Sequence, residues 1–173
     1  MKRIVAHFLL IVSSGLLNAQ TKNPVIGVVR EILPRQQKNL VAAAEEMPAD
    51  KYAYKPTPAQ MSFGMLVIHI AESNNFLCGK AADLPEPKTS DLKETDGKDK
   101  LVAALKASFE FCTSSLAKVE DAKLGDTVTL HGGREGPRAF ALFALTNDWA
   151  DHYSAAAMYL RLNGMLPPTA QKK

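Results

Sequence analysis

The chain has 173 residues and carries 21 basic against 18 acidic residues, a net charge of +3. That length suits one domain. A hydrophobic fraction of 46% supplies a core, and only 7% aromatics with abundant Ala and Leu favours helix over a β-sandwich. No basic stripe interleaves with aromatics, so composition excludes nucleic acid as a partner.

The chain opens on MKRIVAHFLLIVSSGLLNAQ. Lys2 and Arg3 precede an apolar run from Ile4 to about Leu17, and Ala19 follows near its exit. A basic start, a short apolar centre and a small residue at the exit predict a secretory signal peptide over 1–19, with one domain over 20–173. The run falls short of the about 20 residues that span a bilayer. The expected location is secreted or periplasmic, with membrane contact only through the signal segment, and a retained anchor is the alternative. Without Lys2 and Arg3 the balance is 19 basic against 18 acidic residues, too even to steer the protein to an anionic partner.

Four helical stretches follow. The first, about 24–47, has Val25, Val28, Val29 and Ile32 on one face, with Leu40, Val41 and Ala44 continuing the stripe. Pro34 within it predicts a kink or restart. The polar segment PADKYAYKPTPAQ is a connector. The second helix, about 62–80, takes Ser62 as its N-cap and is apolar on more than one side. A long polar loop with two prolines leads to the third, about 97–119, where Leu101, Leu105, Ser108, Phe109, Cys112 and Leu116 keep helical spacing. In the next loop TVTLHGG suits a short extended piece. The fourth helix, about 138–163, stops at Gly164 before Pro167 and Pro168, and TAQKK reads as a frayed tail. Helices of matched length, each with an apolar stripe, predict an all-α four-helix bundle. The long connections around the third helix favour at least one crossover.

Cys78 and Cys112 both lie in apolar helical contexts. Export permits one disulfide between them, and two buried free thiols are an equal alternative.

Polar residues on the buried helices carry the functional reading. His69 on the second helix is flanked by aliphatic residues. Asp148 and His152 on the fourth are four apart, hence on one face, with Trp149 between them. Such a pair grips one ion from a single helix, and a third ligand from a facing helix makes a three-ligand site with an open position. Imidazole with carboxylate suits a divalent ion: zinc, nickel, iron or manganese. The plain alternative is an Asp–His ion pair beside a core histidine. Glu72 is either an acceptor for a ligand histidine or a solvent-facing side chain. Asn74 and Asn75 suit a polar helix face or a pocket wall, Asp151 the surface, Tyr153 and Tyr159 packing. His131 sits in a glycine-rich loop, and Arg161 suits capping of helix carbonyls or an anion.

The segments KYAYKPTPAQMSFGMLVIHIAESNNFLCGKA and NDWADHYSAAAMYLRLNGMLPP together resemble the DinB-like superfamily, which includes metal-dependent thiol transferases of the YfiT type. The resemblance covers nearly the whole chain after the signal. It implies a four-helix bundle holding a divalent metal on three histidines, one on the second helix and two in an HxxxH turn on the last. His69 and His152 match two of these positions. Asp148 stands at the third, so the turn reads DxxxH and the implied site is His–Asp–His. Relatives often carry Gly-Gln soon after the second histidine of the turn, where this chain has Ser154 and Ala155. The implied function is that of a metal-dependent hydrolase or thiol transferase on a small-molecule substrate. The alternative is a non-catalytic binding or stress-related bundle with a degenerate metal site. A homodimer is open to such a bundle, though no interface is legible.

Overall fold

The structure is a computed structural model that describes residues 22–89 and 91–171. The signal segment over 1–19 lies outside the described residues. Four helices dominate: α1 (Pro24–Glu46), α2 (Phe63–Ala82), α3 (Lys98–Leu116) and α4 (Arg138–Leu162). A two-stranded antiparallel hairpin, β1 (Thr127–Thr129) and β2 (Glu135–Pro137), precedes α4, with Val128 opposite Gly136. TVT therefore forms the extended piece, and HGG closes it as a 3-10 turn. None of the described helices is long and apolar enough to cross a membrane.

Each of α1 and α2 packs against both α3 and α4, so α1 lies diagonally from α2 across the bundle. Direction follows from paired residues. Asn74 meets Ser108, and Cys78 meets Cys112, so α2 and α3 run parallel. Arg138 at the start of α4 reaches Ala81 at the end of α2, so these two run antiparallel. A parallel neighbour requires the connection to travel the length of the bundle, and residues 83–89 and 91–97 lie along α2. Leu84 N bonds Gly79 O, Asn75 Nδ2 reaches Pro87 O, and Ser62 Oγ donates to Glu94 Oε2 at 2.7 Å. Gly79 permits this approach, since a Cβ there would stand 3.0 Å from Leu84 O. The long loop before the third helix is thus the crossover.

Helix ends are satisfied mostly across the fold. The α1 N-terminus has no side-chain cap of its own. Instead Asp121 accepts from Val25 N at 2.7 Å and Ile26 N at 2.9 Å, and its own N–H bonds Asn23 Oδ1. Arg30 on α1 covers the C-terminal carbonyls of Leu116, Ala117 and Val119 beyond α3, a cation at the negative end of a helix dipole. Ser62 caps α2 by accepting from Met65 N, as its position predicts. Gly164 has φ 77° and ends α4, with Gly164 N bonding Arg161 O and Met165 N bonding Leu160 O, the Schellman pattern that favours glycine.

Three expectations are corrected. Helix α1 runs unbroken through Pro34. Its buried stripe is Ile26, Val29, Leu33, Leu40, Ala43 and Ala44, while Val25 and Val28 are exposed. PVIGVV is apolar in every direction, so helical spacing alone does not fix which face turns inward. The tail is docked through Gln171: Thr169 exchanges hydrogen bonds with the Tyr153 hydroxyl, and Gln171 reaches Glu46. On α3 all six residues of the predicted stripe are buried.

Cys78 and Cys112 form a disulfide joining α2 to α3, with a sequence separation of 34. A closed loop of that length restricts the unfolded chain by roughly 2–4 kcal/mol. Chemical denaturation with and without reductant should show a loss of that order on reduction, read as a lower midpoint at unchanged slope.

Candidate metal centre

The centre lies between α2 and α4, near the middle of both. α2 is apolar almost all round, and its packing against α3, α4 and the returning 83–97 segment leaves His69 half-buried at the α4 seam. On α4, Asp148 and His152 are likewise half-buried, one turn apart, while Trp149 between them points wholly into the core. His69, Asp148 and His152 each offer one ligand atom, and these atoms lie within 4.8 Å of one another. The two imidazole rings are 4.8 Å apart at their centroids.

Two details define the chemistry of this cluster. His152 Nδ1 lies 2.7 Å from the Asp148 carbonyl oxygen and 3.3 Å from Asp148 Oδ1. Both oxygens only accept, so Nδ1 carries the proton and the neutral ring presents its Nε2 lone pair. Asp148 Oδ2 is buried and has no hydrogen-bond partner among the described residues. A carboxylate oxygen withdrawn from water without a donor is costly, and a cation compensates it. Atoms around one such ion stand about 3–4 Å apart, given bond lengths near 2.1 Å, so small side-chain rotations would close the cluster. The donor set therefore fits a divalent ion.

Hydrogen bonding to the Asp148 carboxylate raises the His152 pKa above the ordinary imidazole value. Burial opposes this, and the charges of Asp148 and Asp151 and the Asp148 carbonyl add to it. The carbonyl bond is the shorter, but the carboxylate bears the charge and so governs the proton equilibrium.

His69 also borders a cleft of about 370 Å³, walled by Glu72, Phe76, Glu86 and His131 among others. Glu72 is exposed on this wall and bonds neither imidazole among the described residues, which favours its solvent-facing reading. His131 at the hairpin turn is exposed and stands edge-on to Phe76 at 6.2 Å. It faces the same cleft as His69 and lies outside the three-residue group. Asp151 is exposed, Arg161 approaches the Ala157 carbonyl at 3.5 Å, and Tyr159 is buried with its hydroxyl on Met61 O.

Asn74 departs from a polar helix face. It is 0% exposed and accepts from Trp149 Nε1 at 2.7 Å. Asn75 is buried on the wall of the cleft. Sequence reasoning identified the three clustered residues but missed the Asn74–Trp149 bond. The available signal was an asparagine pair inside an otherwise greasy helix.

The model of the DinB superfamily matches residues 32–154, a span that includes the whole cluster. Solved structures share the fold. A DinB-like protein from Bacillus subtilis is 22% identical with a TM-score of 0.66, over 84% of this chain and 99% of that one. A DinB-like protein from Bacillus cereus is 14% identical with a TM-score of 0.68, over 83% and 95%. A variant of mycothiol-dependent maleylpyruvate isomerase is 11% identical with a TM-score of 0.61, over 75% of this chain and 59% of that one. No curated protein matches.

In the metal-free protein, a raised His152 pKa means that the Asp148 pair stabilises the fold fully below the unfolded imidazole value of about 6.5. That contribution is lost as pH rises through the higher folded pKa. Nuclear magnetic resonance titration should place His152 above the ordinary value in the wild type and lower in Asp148→Asn, and that variant should lose the corresponding slope in stability against pH.

Proposed function

The chain belongs to the DinB superfamily, and from that premise we propose that it is an exported, metal-dependent enzyme holding one divalent ion on His69, Asp148 and His152. Export is supported by the basic and apolar start of the sequence and by the Cys78–Cys112 disulfide, a bond kept in oxidising compartments. The ion is zinc, nickel, iron or manganese by the donor chemistry.

The observation that carries this reading is the buried Oδ2 of Asp148, unpartnered among the described residues and beside two imidazoles. His152 is already in the tautomer that offers Nε2, because Nδ1–H is held by Asp148. Three protein ligands leave a coordination position open. The cleft beside His69 is the place for a small substrate. A divalent ion bound here supplies Lewis acidity, which lowers the pKa of water or of a thiol. We favour hydrolysis of a small electrophile over thiol transfer, since an exported protein meets few small thiols. The resemblance that implies thiol transferases also departs at Ser154 and Ala155.

Metal content tests the proposal. Protein purified without a polyhistidine tag and reconstituted should carry close to one ion per chain by elemental mass spectrometry. His69→Ala and Asp148→Ala should lose it while keeping the helical circular dichroism spectrum. Affinity should fall as pH drops through the raised His152 pKa, because the proton and the ion compete for the ring. A wild type that stays empty after reconstitution would falsify the reading.

A further inference from the structure

Among the described residues, three polar bonds tie α4 to α2 and to Met61 just before it, along their antiparallel length. Arg138 Nη1 donates to Ala81 O at 3.2 Å at one end, and the Tyr159 hydroxyl donates to Met61 O at 2.7 Å at the other. Between them Trp149 Nε1 donates to Asn74 Oδ1 at 2.7 Å, with both side chains wholly buried. This middle bond is the one at the level of the cluster. Trp149 directly follows Asp148 and precedes His152 by three positions, so all three turn together as one rigid stretch of helix.

Asn74 is itself held from the far side. Its Nδ2 donates to Ser108 Oγ on α3 at 3.0 Å, and that hydroxyl donates to Leu105 O at 2.7 Å. One turn further along the same two helices, Cys78 and Cys112 fix α2 to α3. The amide of Asn74 therefore has one orientation, with its oxygen towards α4. Successive residues on a helix are about 100° apart. A rotation of α4 that took Trp149 off Asn74 would swing Asp148 and His152 away from His69. The buried face of α4, with Leu142, Leu145 and Leu160, opposes such a rotation too, but its outer face is also apolar at Phe140, Phe143 and Met158, so packing alone is less selective than a directed hydrogen bond.

We propose that Ser108, Asn74 and Trp149 form a positioning relay that sets the rotation and register of α4 against α2, and through it the spacing of His69, Asp148 and His152. None of the three belongs to the His69, Asp148 and His152 group. The inference rests on the metal reading for its consequence, and on apo geometry for its content.

Single and double substitution separate positioning from plain core stability. Asn74→Leu leaves a buried indole N–H without an acceptor, whereas Asn74→Leu with Trp149→Phe removes both partners and is expected to regain stability. Four proteins would be compared: wild type, each single variant and the double variant. The readouts are the thermal midpoint without metal, the zinc Kd by chelator competition, and the cross-relaxation between the His69 and His152 rings in the metal-free protein. The relay predicts that the double variant recovers its midpoint, binds zinc at least tenfold more weakly and loses the ring-to-ring signal. A stable double variant with wild-type zinc affinity and an intact ring-to-ring signal would overturn it. Ser108→Ala, which frees the Asn74 amide and keeps the core volume, serves if the double variant does not fold. It should weaken zinc binding about threefold and reduce the ring signal, and no change in either would also overturn the relay. A wild type that binds no zinc would defeat the metal reading alone, since the ring-to-ring signal still decides the relay.

Discussion

The candidate centre depends on one relationship, the register of α4 against α2, and the buried hydrogen bond from Trp149 Nε1 to Asn74 Oδ1 constrains it between the Arg138 and Tyr159 bonds at either end. His69 and the Asp148–His152 turn come from helices remote in sequence. They meet only because those helices lie antiparallel with one rotation and one axial offset. A bundle held by hydrophobic contact alone tolerates sliding, because apolar attraction has no direction. A buried indole N–H and a buried amide do have direction, and leaving either unpaired costs on the order of 1–3 kcal/mol. Polar groups in this core thus add a directional constraint to the apolar packing.

The rest of the architecture serves the same end. α2 is the central helix for the site, with α3 parallel to it on one side and α4 antiparallel on the other. The parallel pair forces residues 83–97 to return along α2, and this strap becomes a wall of the cleft beside His69 through Glu86 and Pro87. The disulfide and the Asn74–Ser108 bond lock α2 to α3 within one helical turn of each other. α1 completes the bundle and is tied at its start by Asp121 and through Arg30 to the end of α3. The side of the molecule that carries the three clustered residues is accordingly braced from behind.

The helices and their approximate limits were legible in the sequence, because caps, breakers and helical spacing act locally; the grouping of His69 with Asp148 and His152 rested also on the resemblance to the DinB-like superfamily. Ser62, Gly164 and the α3 stripe are cases in which one local rule decided the outcome. A crossover beside α3 was legible from its long connections, but which of them carries it was not, since that depends on how the 15-residue segment before α3 packs. Along α1 the expected stripe holds at Val29, Leu40 and Ala44 and fails at Val25 and Val28, because PVIGVV is apolar in every direction and local spacing does not choose its inward face. The DxxxH turn showed that Asp148 and His152 share a face. Only the fold shows that Asp148 Oδ2 is buried without a donor among the described residues. Likewise Asn74 reads locally as part of a polar helix face, and its role in the core shows only when Trp149 arrives from α4.

The most direct test of the account is anomalous diffraction from crystals of zinc-reconstituted protein, recorded on both sides of the zinc absorption edge. The account predicts one strong anomalous peak per chain, between His69, Asp148 and His152, with a ligand atom of each about 2.0–2.2 Å from it. A peak bound elsewhere on the chain, or no peak between α2 and α4, would contradict it.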